Sequence, residues 1–294
     1  AKKNHQIRIW EFMHEQAREK QENRICKLLP EVKLPANILV TSTFKEAFPS
    51  ELVLLVVPSD HAEKTIVQAK PFLADQPILI CSKGFAQETR LLTEALSQHV
   101  NNPLFCLYGP THAEEVCKGL FSGIVLAGGS GKEKIKQQLD SPEFKVSLSD
   151  DIVGVQVAAA LKNILAIFIG VLDGLQLGDN AKAYCIVKGL EEIRQIGVAW
   201  GGKEETFHDL AGIGDIIVTC MSKHSRNRHV GEQIGRGKRL PSILEEMKMV
   251  AEGVTTVRHA LVLKDRFGLE LPMISALYGV LFEDQDVKSL VGNI

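Results

Sequence analysis

An alternation confined to the first half of the chain limits the possible folds more than any other feature. Short apolar or β-branched runs recur at Ile7–Trp10, Ile38–Thr41, Leu52–Val57, Ile78–Ser82, Leu104–Tyr108, Gly123–Ala127 and Lys145–Leu148. Helical patterns lie between most of them, at His14–Arg24, His61–Leu73, Glu88–His99 and Lys132–Leu139. Strands alternating with helices predict βαβ units and a mostly parallel sheet. Leu52–Val57 is apolar at every position, as expected of a strand covered on both faces.

After Asp150 the alternation stops. Asp150 or Asp151 can cap a helix through Gly154–Val171, and helical patterns follow at Ala181–Ala199, Arg226–Ile234, Ile243–Met249, Thr255–Phe267 and Ile274–Phe282. The chain therefore divides into an α/β part, residues 1–149, and an all-α part, residues 150–294. A length of 294 residues suffices for two domains, each with its own core.

Composition narrows the function class. With 34 basic against 36 acidic side chains, the chain is not built to coat itself in nucleic acid or anionic lipid. Val155–Leu175 is apolar enough to suggest a membrane span, but Lys162 and Asn163 in its middle are costly at a bilayer centre, so a buried helix is expected. Cys26, Cys81, Cys106, Cys117, Cys185 and Cys220 form no CxxC pair and mostly sit in apolar runs. Together with the polar, basic opening Ala1–Asn4, that pattern predicts reduced thiols and a cytoplasmic protein. The histidines show neither HExxH nor Cys/His ligand spacing, and no metal is expected.

Five short motifs can carry chemistry, and each also has a plain explanation. Ser82-Lys83-Gly84 follows a strand directly, where α/β sheets bind ligands; by itself it reads as a surface lysine in an exit loop. Gly109-Pro110-Thr111-His112-Ala113 opens a helix whose N–H groups suit an anion or a carboxamide, or else it is a turn capped by Thr111. Lys162-Asn163 lies within a strongly apolar helix. A lysine there either reaches solvent or performs acid–base work with its pKa pulled down by burial and neighbouring cations. Gly212-Ile213-Gly214-Asp215 lets the chain bend so that Asp215 either pairs with a lysine or caps the next helix. Ser225-Arg226-Asn227-Arg228 at a helix start suits a phosphate, or else forms a solvated basic face.

In this order SKG, GPTHAEE, AAALKN, AGIGD, SRNR and VAEG resemble NAD(P)-dependent glycerol-3-phosphate dehydrogenase of the soluble bacterial type, from Ile7 to about Leu281. The resemblance implies reduction of dihydroxyacetone phosphate to sn-glycerol 3-phosphate with NADH or NADPH, supplying phospholipid synthesis. It implies that Lys162 is the general acid, and that Lys83 touches both cofactor and substrate. Gly109, Thr111, Asp215, Ser225, Arg226 and Asn227 match substrate positions, with Asn163 and Thr219 as further active-site positions. Pro58, Ala113, Arg226, Val250 and Glu252 match cofactor positions.

Glu11 falls at the end of a strand, where an acid can accept from the adenosine ribose 2′-OH, so NADH is expected over NADPH. The implied fold is a Rossmann-like doubly wound sheet followed by helices. The family's opening strand and GxGxxG turn are not seen, and Ala1–His5 looks like the end of the helix after them. A preceding segment of roughly 20–25 residues is therefore expected. A homodimer is expected through an apolar face of the helical part. Two alternatives stay open: another two-domain β-hydroxyacid dehydrogenase, which would not need the SRN phosphate end, and a catalytically dead binding protein of the same fold.

Overall fold

The structure, a computed structural model, describes residues 5–223, 225–247 and 251–292. The first part has strands β1 (Ile7–Trp10), β2 (Ile25–Cys26), β3 (Leu29–Lys33), β4 (Ile38–Thr41), β5 (Val53–Leu55), β6 (Ile78–Ile80), β7 (Leu104–Tyr108), β8 (Ser122–Gly128) and β9 (Phe144–Ser149). Among them run α1 (His14–Asn23), α2 (Phe44–Ala47), α3 (Ser59–Ala69), α4 (Leu92–Ser97), α5 (Ala113–Val116) and α6 (Lys132–Leu139). The remainder is helical: α7 (Ile152–Gly174), α8 (Gly178–Ala199), α9 (Glu204–Phe207), α10 (Asp215–Met221), α11 (Arg226–Gly235), α12 (Leu240–Glu246), α13 (Glu252–Phe267), α14 (Pro272–Phe282) and α15 (Ser289–Gly292).

The strands form separate pieces rather than one sheet. β1 pairs in parallel with β4, while β5-β6-β7-β8-β9 make a five-stranded sheet; β2 and β3 are a small antiparallel hairpin that the sequence reading missed. Ile78, Leu79 and Ile80 of β6 are all fully buried. By contrast β5, where the sequence predicts a strand covered on both faces over Leu52–Val57, leaves Leu54 and the following Val56 exposed, because it is the edge strand of its sheet. The β7–β8 pair is antiparallel, where parallel pairing dominates elsewhere in that sheet. The chain between them, residues 109–121, holds only the four-residue α5, too little helix for a crossover, so it returns at the end where it left.

The core of the second part is α7. Asp151 caps it by accepting from Gly154 N at 2.8 Å, and its second carboxylate oxygen takes Lys203 N at 2.8 Å and Thr206 Oγ1 at 2.6 Å. Of an apolar 18-residue window in α7, 89% is buried inside the protein, so this long hydrophobic helix is a core helix, as expected. α8, α10, α11 and α13 surround it. α7 and α11 touch backbone to backbone: a Cβ at Gly170 would strike Arg228 O, and one at Gly231 would strike Ile167 O. Gly174 and Gly235 meet one turn further on. Each helix carries glycines four apart, the small-residue spacing that permits such approach.

Candidate active site

β5, β6 and β7 are adjacent and parallel, so their carboxyl ends open on one side. Pro58 follows β5 and precedes α3, Lys83 follows β6, and Gly109 follows β7. The exits are tied together: Ser82 Oγ donates to Val57 O, and Tyr108 Oη donates to Ser82 O at 2.7 Å. Lys83 therefore leaves a peptide held by both neighbouring strands. Its ammonium donates to Gly109 O at 3.1 Å and to Asp215 Oδ2 at 2.8 Å. Thr111 turns back to donate to the same Gly109 carbonyl at 3.2 Å.

Asp215 comes from the helical part. Residues Leu210–Gly214 form one wide helical turn that runs straight into α10, so the glycines deliver the aspartate at a helix start rather than at the tight bend the sequence suggests. A Cβ at Gly212 would collide with the Phe207 backbone, which explains the small residue there. The second oxygen, Asp215 Oδ1, accepts from Lys162 Nζ at 2.5 Å. Lys162 also donates to Thr219 Oγ1 at 2.9 Å, and Thr219 in turn donates to Asp215 O at 2.6 Å. One carboxylate thus stands between two ammonium groups, one on a strand exit and one on α7.

Burial sets the electrostatics. The Asp215 side chain is 1% exposed and that of Lys162 is 7% exposed. Burial pushes the Asp215 carboxyl up, but Lys83 and Lys162 outweigh it and hold the group below the usual carboxylate range. Burial, followed by the charge of Lys83, pulls the Lys162 ammonium down to about 7 against the opposing pull of Asp215. An ammonium poised there can give or take a proton near neutrality.

A second cluster adjoins the first. Asn163 and Asn227 are buried, and Asn227 Oδ1 accepts from Gly253 N at 3.0 Å. A Cβ at Gly253 would press on both Asn227 Oδ1 and Asn163 O, so the start of α13 sits against α7 and α11 at once. Glu252 accepts from the Ser59 backbone N–H at the start of α3; its carboxyl is raised by burial, with the charges of Arg226 and Lys83 pulling it back. Ser225, also buried, caps α11 by accepting from Arg228 N at 3.2 Å, while Arg226 is exposed at that helix start.

Comparison with known proteins decides the family. Residues 1–134 match the description NAD-dependent glycerol-3-phosphate dehydrogenase N-terminus, and residues 151–292 match its C-terminus. The chain belongs to this dehydrogenase family. A glycerol-3-phosphate dehydrogenase [NAD(P)+] from Fusobacterium nucleatum is 36% identical over 100% of this chain and 90% of its own length. One from Salinibacter ruber is 39% identical over 90% of this chain and 80% of that protein. The crystal structure of glycerol-3-phosphate dehydrogenase from Coxiella burnetii superposes with a TM-score of 0.94 at 30% identity, covering 99% of this chain and 91% of that one. A ketopantoate reductase from Ralstonia eutropha, at 16% identity and TM-score 0.60, covering 99% of this chain and 92% of that one, shares the fold alone.

For this glycerol-3-phosphate dehydrogenase family member, Lys83, Gly109, Thr111, Lys162, Asp215 and Thr219 are brought together, and Asn163, Asn227, Glu252 and Arg226 adjoin them. Pro58 is exposed beside them, with Ser59 joining it to Glu252. Ala113 is exposed at the start of α5. Glu11 stands apart at the end of β1, ion-paired with Lys20 and accepting from Met13 N at 3.4 Å. Val250 lies outside the described residues, as do Ala1–Asn4. Sequence reasoning missed Ser59, Tyr108 and the paired glycines of α7 and α11. Only the last had a visible signal, the four-residue glycine spacing in both helices.

Proposed function

We propose that this chain reduces dihydroxyacetone phosphate to glycerol 3-phosphate and runs the reverse oxidation, with Lys162 as the proton donor and acceptor. The observation that carries the reading is the lysine–aspartate–lysine arrangement across the two parts of the chain. An ammonium group has three protons to donate. Among the described residues, Lys162 commits one to Asp215 and one to Thr219, which leaves one for a substrate oxygen. Lys83 likewise commits one to Gly109 and one to Asp215. Negative charge developing on a carbonyl oxygen between them meets two fixed cations, and Lys162 completes the step by protonation.

Residues 1–149 serve as the dinucleotide-binding domain and residues 150–294 as the substrate and catalytic domain. We read β1–β4 and β5–β9 as the halves of a Rossmann-like doubly wound sheet. The donor set fits a nicotinamide nucleotide, NAD or NADP: Pro58, Lys83 and Gly109 lie at the carboxyl ends of parallel strands, with Ala113, Arg226 and Glu252 as further contacts. When bound, that group supplies the hydride. NADH is preferred, because Glu11 at the end of β1 suits a ribose hydroxyl and repels a 2′-phosphate. The enzyme works in the cytoplasm as a homodimer and supplies phospholipid synthesis.

The phosphate end falls to Ser225, Arg226 and Asn227. The start of α11 contributes the positive end of its dipole, and Arg226 a planar two-point donor. Arg226→Ala should raise the KM for dihydroxyacetone phosphate by about ten- to a hundredfold, the worth of a charge-assisted hydrogen bond. The KM for unphosphorylated dihydroxyacetone should barely move. Equal damage to both substrates would show that Arg226 holds structure rather than phosphate, and favour a different hydroxyacid dehydrogenase.

A further inference from the structure

The loop that carries Lys83 away from β6 does not fold on its own part of the chain. After Gly84, Phe85 is 2% exposed and packs into the core of the helical part. Its ring stacks on Trp200 with centroids 5.6 Å apart and meets the His259 ring edge-on at 5.7 Å. Further on, Glu88 and Thr89 adopt left-handed backbone conformations, φ 58° and 54°, which cost energy for residues with a Cβ, most of all for a β-branched threonine. That conformation turns both carbonyls towards one guanidinium: Arg266 donates to Thr89 O at 3.1 Å and to Glu88 O at 3.3 Å. Arg266 also lies over the Trp200 ring at 5.5 Å, and Thr89 Oγ1 pairs with His259 Nδ1 at 2.8 Å. Burial holds His259 below its ordinary pKa, so near pH 7 the contact is between neutral groups.

His259 and Arg266 both belong to α13, whose first residue, Glu252, accepts from Ser59 at the exit of β5. One helix therefore grips two neighbouring strand exits of the α/β part, at its first turn and again along its second half. Gly84 lies against Ser59 closely enough that a Cβ would overlap the serine side chain, so the two exits are also in contact with each other.

We infer that Arg266, with Trp200 and His259, is a positioning element for Lys83: it clamps the strained Phe85–Thr89 loop to α13 and so fixes the Lys83 ammonium on Asp215. This inference rests on the proposed roles of Lys83 and Lys162. None of the clamp residues touches Asp215 or Lys162; the clamp acts through the backbone that follows Lys83. Without it the loop relaxes its left-handed residues, and Lys83 loses its registry with Asp215 and Gly109. A misplacement of about 1 Å at a reacting centre is enough to reduce turnover by up to about a hundredfold.

The test compares Arg266→Met, which keeps the packing on Trp200 but removes the donors, with Lys83→Ala. Arg266 is an exposed residue, and thermal unfolding of the variant should match wild type within a few degrees. The groups facing Lys162 are Lys83, Asp215, Thr219 and Cys220. Withdrawing Lys83 from this set raises the Lys162 pKa, so the alkaline limb of dihydroxyacetone phosphate reduction moves to higher pH. Lys83→Ala should show this shift in full, and Arg266→Met should show part of it with turnover reduced about tenfold or more. A limb that moves in Lys83→Ala but stays in place in Arg266→Met overturns the clamp and leaves the site reading intact. A limb unmoved in both variants overturns the reading of Lys83 and Lys162 and the clamp with it.

Discussion

The carboxyl ends of β6 and β1 stand in the same kind of position and are built in opposite ways. At the end of β6, Lys83 is anchored by Asp215 and Gly109, its preceding peptide by Tyr108 and Val57, and its following loop by α13. At the end of β1, Glu11 has one ion pair with Lys20, and the next two residues, Phe12 and Met13, are 67% and 49% exposed. On the proposed roles, the difference follows from what each end must do. Proton transfer depends steeply on distance and on pKa, so its groups need redundant restraint in a dry site. Choosing between a ribose hydroxyl and a phosphate needs only a charge of the right sign in roughly the right place.

The largest predicted effect tests the restrained end. Lys162→Ala should leave the fold intact and lower turnover by about 10²–10⁴, the usual worth of a general acid. Near-normal turnover with dihydroxyacetone phosphate would remove Lys162 from the reaction. Next comes Asp215→Asn, which strips the counter-charge from two ammonium groups in a buried site. Breaking a buried pair in this way typically costs about 3–5 kcal/mol, and urea unfolding should show a loss of that order. With the carboxylate gone, Lys162 loses the interaction that raises its pKa, so its limb should move to lower pH, opposite in sign to Lys83→Ala. A variant as stable as wild type would mean that the three charges are not mutually dependent.

How much of this was legible in the sequence tracks the same contrast. Lys162 stood out because a lysine in so apolar a run has few structural explanations, and the pair Asp150-Asp151 because a capping residue announces a helix locally, Asp151 proving to be the cap. The strand–helix alternation marked the α/β part and its end near residue 150, since each buried strand leaves a short apolar run that is visible in one dimension. Pairing of Asp215 with a lysine was one of its two readings, but its meeting both Lys83 and Lys162 was not legible, because it depends on two lysines 79 residues apart reaching one carboxylate through tertiary packing. The helix expected at Glu88–His99 is shorter, Leu92–Ser97, because Arg266 and His259 hold Glu88 and Thr89 in left-handed conformations that no local propensity favours. The β2–β3 hairpin went unseen because its second strand, Leu29–Lys33, includes a proline and has little apolar alternation.

The smallest predicted effect tests the lightly held end. Glu11→Gln should weaken the preference for NADH over NADPH by a few fold, about 1 kcal/mol, without changing turnover. The ratio of the two Michaelis constants measures it. Wild type favouring NADPH, or a variant indistinguishable from wild type, would show that Glu11 faces away from the ribose and is occupied by Lys20 alone.

The central claim is that Lys162 gives a proton in reduction and takes one in oxidation, with a pKa pulled down to about 7 by burial and by Lys83. The direct measurement is the pH dependence of turnover in both directions on the wild-type enzyme and on Lys162→Ala. Reduction needs the ammonium and should fall as pH rises through about 7, whereas oxidation needs the free amine and should rise through the same point. Both limbs should vanish in Lys162→Ala. Limbs that persist in the variant, or that run in the same direction for the two reactions, would contradict the account.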